Sequence, residues 1–85
     1  MLEHLKARWP EVTFATHETH PWASVTFKGT RHKITLTMPN TSDFLSELPD
    51  HEFPMLVADA SVIYTNTDVV GGYTQATIEI LTLED

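Results

Sequence analysis

Apolar residues recur along this chain with two periods. At the start Leu2, Leu5 and Trp9 fall at helical spacing, Glu3 sits at the positive end of the run, Lys6 and Arg8 at its negative end, and Pro10 stops it. One short amphipathic helix is predicted. The period then drops to two: Val12 and Phe14, next Ala23, Val25 and Phe27, and then Ile34, Leu36 and Met38 alternate with polar residues. These read as three consecutive strands.

A two-residue turn at Gly29-Thr30 sets Lys28 opposite Arg31, Phe27 opposite His32, Val25 opposite Ile34 and Ala23 opposite Leu36, which gathers every apolar residue on one face. Pairing Phe14 with Val25 extends the meander and leaves His17 to Trp22 as a loop. After Pro39, Asn40 to Asp43 have the composition of a helix cap and first turn, with Phe44, Leu45 and Leu48 as the buried side and Pro49 as the stop. Pro49 to Pro54 is a loop, and Met55–Thr67 and Tyr73–Leu83 form a second, longer hairpin joined near Gly71-Gly72. In a tight register Ile78 and Ile80 miss the apolar set Leu56, Ala58, Ala60, Val62 and Tyr64, and a bulge or a longer loop would reconcile them. The expected fold is α+β, one domain over residues 1–85. It has a five-stranded antiparallel sheet in the order α-β-β-β-α-β-β and two short helices over one apolar face.

Size and composition narrow the classes. A chain of 85 residues buries only about two-thirds of its unfolded surface, and with no cysteine it has no disulfide to compensate. Thiolate metal sites, cysteine nucleophiles and redox motifs are excluded, and self-association is the remaining common source of stability. The segment MLEHLKARWP is charged throughout, unlike a secretory signal, and no apolar run reaches membrane-span length. A soluble cytoplasmic protein without membrane contact is expected.

The formal charge of −7 is unevenly spread. All five basic residues precede residue 34, and from Ile34 onward nine acids from Asp43 to Asp85 have no basic neighbour in sequence. Nucleic acid is therefore not an expected partner, because phosphate contacts need concentrated Lys and Arg. Mutual neutralisation of the two parts is preferred over an anion site.

The candidate chemistry is sparse. His17, Glu18 and His20 have the residue types of a zinc set, but their spacing is neither helical nor convergent on a strand. His32 cannot join them in the expected register, which separates it from His17 by roughly 20 Å. On the other face of the first hairpin Trp22 leads toward Lys28, Arg31 and Lys33, a platform for an anionic or stacking ligand unless Glu11, set opposite Lys28, neutralises it. Asp59 is flanked by Leu56, Val57, Ala58, Ala60 and Val62; if buried it would suit a general base near His51 or Glu52, and if exposed it guards an edge strand. No serine stands in a nucleophile elbow, and three glycines form neither a phosphate loop nor a dinucleotide fingerprint, so no cofactor is expected.

His20-Pro21-Trp22-Ala23-Ser24, the Gly29-Thr30-Arg31-His32 segment and Leu48-Pro49-Asp50-His51-Glu52-Phe53 resemble small bacterial proteins of a family without assigned activity. The resemblance covers about the middle third of the chain and implies a cytosolic bacterial setting, with no catalytic residue to carry over. The leading functional expectation is a non-enzymatic interaction module that forms a homodimer by burying either the second hairpin's outer face, where Leu81 and Leu83 are apolar, or an exposed edge. The alternatives are an enzyme or ligand-binding protein with a pocket near His17–Trp22 or Asp50–Asp59, and a metal-binding protein using His17, Glu18 and His20.

Overall fold

Two long hairpins, joined through their second strands, make one antiparallel sheet in the order β1-β2-β4-β3. The structure is a computed structural model and describes residues Met1–Glu84; Asp85, counted above among the acids, lies outside them. Helix α1 (Leu2–Arg8) precedes β1 (Thr13–Ala23) and β2 (Lys28–Pro39); α2 (Phe44–Glu47) and a 3-10 turn (Leu48–Asp50) lead to β3 (Val57–Asp68) and β4 (Tyr73–Glu84).

The α+β character stands, but the sheet has four strands among the described residues, not five. The second expected strand does not form: of Ala23, Val25 and Phe27 only Ala23 belongs to a strand, at the end of β1. Residues 17–22, read above as a loop, continue β1, and Val25 and Phe27 lie exposed in the connection to β2. That connection is closed by Ser24, whose N–H donates to the Phe27 carbonyl at 2.6 Å while its Oγ accepts from the Phe27 N–H at 3.1 Å. Pro21 does not break the strand because β1 is an edge, where a missing N–H costs no ladder bond.

Gly29 explains why the expected turn is absent. It lies inside β2, opposite Trp22 on one side and Leu83 on the other, where a Cβ would collide with the Thr82 backbone carbonyl. A glycine read as a turn residue thus serves the close approach of two central strands. The register moves accordingly: Ala23 faces Lys28, His17 faces Ile34 and Phe14 faces Leu36.

The second hairpin has both devices that its pattern required. A four-residue connection, Val69–Gly72, joins the strands, with Gly72 at φ 78°, a conformation that favours glycine. Bulges between Val57 and Asp59 and between Val62 and Tyr64 set Ile80 opposite Ala60 and Ile78 opposite Val62.

The core lies on one face of the sheet. Ile34 and Leu36 of β2 and Ala76, Ile78 and Ile80 of β4 are buried beneath Leu5 and Trp9 of the first helical segment and Phe44 and Leu48 of the second. Phe44 presents its ring edge-on to Trp9 and Phe14, with centroids 4.8 and 6.1 Å away. The opposite face has no helix over it and carries Trp22, Arg31, Lys33, Glu79, Leu81 and Leu83 by alternation.

This register makes a sharp prediction about stability. Phe44→Ala should lower the free energy of unfolding by about 3–5 kcal/mol. Val25→Ser, at a position that the Gly29-Thr30 turn would have buried, should change it by no more than about 0.5 kcal/mol. Urea denaturation of the two variants checks both values.

Candidate functional site

The bulge in β1 builds the most distinctive cluster. Phe14 and His17 are three residues apart and would point to opposite faces of a regular strand, but the register shifts between Phe14 and Thr16. Both residues then sit opposite inward residues of β2, Leu36 and Ile34. His32, two positions from Ile34, becomes the diagonal neighbour of His17. The two rings meet: His17 Nε2 is 2.8 Å from His32 Nδ1, with centroids 5.1 Å apart and planes inclined at 30°. The expected separation of roughly 20 Å is overturned with the register that produced it.

The hydrogen bonds around this pair are mutually satisfied in one arrangement of protons. Thr82 Oγ1 donates to the Thr30 carbonyl at 3.2 Å, and a hydroxyl has only one proton to give. The 3.2 Å contact between Thr82 Oγ1 and His32 Nε2 therefore has the ring nitrogen as donor. In that arrangement His32 is assigned the Nε2–H tautomer, which leaves its Nδ1 as acceptor for His17 Nε2–H. The result is a one-way chain from His17 through His32 and Thr82 to the Thr30 carbonyl.

A second imidazole pair joins elements that are distant in sequence. His4 on α1 and His51, just after the 3-10 turn, approach to 2.7 Å between their Nε2 atoms. Trp9 and Phe53 flank His51 edge-on, each with its centroid 4.8 Å away. Four of the chain's five histidines are thus paired. Sequence reasoning missed both pairs: one depends on a bulge, the other on how α1 packs against the segment after α2.

Desolvation is the main cause that lowers the pKa of His17, His32 and His51 below the ordinary histidine value. For His17 and His32 the positive amino terminus at the start of α1 adds to it, and His32 also feels His17. For His51, His4 and Arg8 act in the same direction and Glu47 and Glu52 oppose them.

The other candidate residues are scattered. Alternation sends Glu18 and His20 to the helix-free face, away from His17, so the proposed zinc set does not converge; no group of three metal-ligating side chains occurs among the described residues. Trp22 shares that face with Arg31 and Lys33, but Lys28 falls on the other side. The indole Nε1 of Trp22 is buried without a hydrogen-bond partner. The basic residues are opposed from within the sheet. Lys28 faces Glu84, Lys33 lies between Glu18 and Glu79, and Arg31 meets Glu79 at 3.5 Å. Glu11 plays no part in this, contrary to expectation. It accepts a hydrogen bond from Ser42 Oγ at 2.6 Å, which is the main reason its carboxyl is held below the usual range. Asp59 is exposed on edge strand β3, and with His51 and Phe53 it lines an open concavity of about 350 Å³. No helix among the described residues is long and apolar enough to cross a membrane.

Compared with known proteins, the chain matches no family model, no curated protein and no solved structure.

Because His17, His32 and His51 hold protons less readily when folded, the unfolded chain binds more protons just below pH 6.5. Stability is then full above that value and falls as pH drops through the folded-state pKa values. The urea midpoint should be higher at pH 7.5 than at pH 5.5. His32→Gln, which keeps hydrogen-bonding capacity but does not titrate, should flatten the difference.

Proposed function

We propose that the protein is a non-enzymatic interaction module, cytoplasmic in setting, that pairs with a second copy of itself along the free edge of β3. The observation that carries this reading is an apolar stretch at the middle of an unpaired edge. Val62, Ile63 and Tyr64 are 37, 50 and 57% exposed on a strand hydrogen-bonded on one side only. Edge strands of monomers are commonly protected by inward charges, bulges, lysines or prolines; β3 has no lysine or proline, and its bulge between Val62 and Tyr64 leaves these three side chains exposed. Its acids, Asp59 and Asp68, stand near its ends.

A two-fold antiparallel pairing centred on Ile63 opposes Val62 to Tyr64, Asp59 to Thr67 and Asp68 to Ala58, so no like charges meet. A register shifted by one residue would oppose Asp59 to Asp68. The charge pattern therefore favours one pairing over its nearest competitor. The expected partner is the chain itself and not nucleic acid, since Lys28 and Lys33 of β2 face acids and Arg31 meets Glu79 diagonally at 3.5 Å.

The concavity beside His51 and Asp59 favours a second reading, a small-molecule pocket with two titratable groups at its rim. Under that reading, fragments that bind should shift the amide resonances of Ala58, Asp59 and Ala60, and His51→Ala should remove the shift.

Sedimentation velocity over a range of protein and salt concentrations tests the first reading. We expect a concentration-dependent dimer that persists at high salt, because the contact is apolar, and a monomer for Ile63→Lys with an unchanged circular dichroism spectrum. A wild-type monomer under every condition would reject self-association.

A further inference from the structure

We propose that His17 and His32 form a chelating site for one late first-row divalent ion of the imidazole-preferring class, Cu²⁺, Ni²⁺ or Zn²⁺. His17 Nε2 and His32 Nδ1 are the ligands, and water fills the remaining positions. The site is independent of the β3 edge.

Three observations converge on it. The first is the outer support of His32. Metal-bound imidazoles characteristically donate their far N–H to a fixed acceptor, which sets the tautomer and aims the bare nitrogen at the ion. Thr82 Oγ1 does this for His32, and the Thr30 carbonyl anchors Thr82 in turn. The bare Nδ1 of His32 is directed at the partner nitrogen and not into solvent.

The second is spacing. Two imidazole nitrogens bound to one ion at about 2.0–2.1 Å stand about 2.9 Å apart at a right angle and about 3.3 Å apart at a tetrahedral angle. The observed 2.8 Å needs a widening of about half an ångström at most. Each ring is carried by a strand of the sheet, His17 on β1 and His32 on β2.

The third is charge. An imidazole ligand adds no charge of its own, and on binding His17 moves its N–H from Nε2 to Nδ1 so that Nε2 presents a lone pair. The chain's net charge of −7 favours cations overall, while the amino terminus near the two rings opposes them. The other imidazole pair has weaker credentials. Among the described residues neither His4 nor His51 makes a further hydrogen bond through Nδ1, and Arg8 adds positive charge near His51.

The test is a calorimetric titration of the purified chain with CuCl₂, NiCl₂ and ZnCl₂ at pH 7.5, joined to long-range ¹H–¹⁵N spectra of the imidazoles with Zn²⁺. We expect one ion per chain, Cu²⁺ bound most tightly, with His17 Nε2 and His32 Nδ1 shifted and the His20 ring unmoved. His17→Ala should lower affinity at least about tenfold, and Thr82→Val, which removes only the outer support, about tenfold. His20→Ala should bind as wild type. No binding by the wild-type chain, or zinc-induced shifts confined to His4, His51 or His20, would overturn the assignment. The wild-type spectra decide the matter even if a histidine variant fails to fold.

Discussion

The pairing of β2 with β4 is the constraint on which the rest of this structure depends. It runs from Lys28 opposite Glu84 to Pro39 opposite Tyr73 and joins segments more than thirty residues apart in sequence. It stacks Ile34 on Ile78 and Leu36 on Ala76 at the centre of the buried face, where each large side chain contributes about 1.5–3 kcal/mol by leaving water. Because β2 has partners on both sides, β1 and β3 become the edges, and both candidate functional features lie on them or beside them. The same ladder fixes the conformation of Gly29, since only a residue without a side chain lets the Thr82 carbonyl approach.

Bulges convert those edges into sites. In β1 one extra residue turns His17 inward to meet His32, and the hydroxyl of Thr82 on β4 lies 3.2 Å from the far nitrogen of His32. In β3 the irregularity between Val62 and Tyr64 falls where three apolar side chains are exposed at the free edge. One local device, an added residue on an outer strand, thus gathers polar groups in one hairpin and displays apolar ones in the other.

Charge serves assembly before it serves recognition. The contrast between a basic first part and an acidic second part is read, along the chain, as mutual neutralisation of the two. In the sheet it becomes cross-strand complementarity: Lys28 with Glu84, Lys33 with Glu79, and Arg31 with Glu79. Exposed pairs of this kind add little stability each, about 0–1 kcal/mol, but like charges at those positions would oppose the pairing of the two hairpins. The basic residues of β2 are engaged with their own sheet.

Alternation and helical spacing by themselves determined the α+β class, the first helix with Leu5 and Trp9 inward, the short second helix on Phe44 and Leu48, and the apolar face of β2. They also determined that the second hairpin needs a bulge or a longer loop. These features are local: a side chain's period reports which face of its own element is buried. Only the tertiary structure decided that Gly29 lies within a strand and that His17–Trp22 continues β1. It alone decided that Val25 and Phe27 form a connection, and that two pairs of histidines meet. Glycine marks both a turn and a close strand contact, and the choice is made by β4, which is far away in sequence. A bulge reverses the facing of every residue beyond it, so the meeting of His17 with His32 could not be read until the partner strand had set the register.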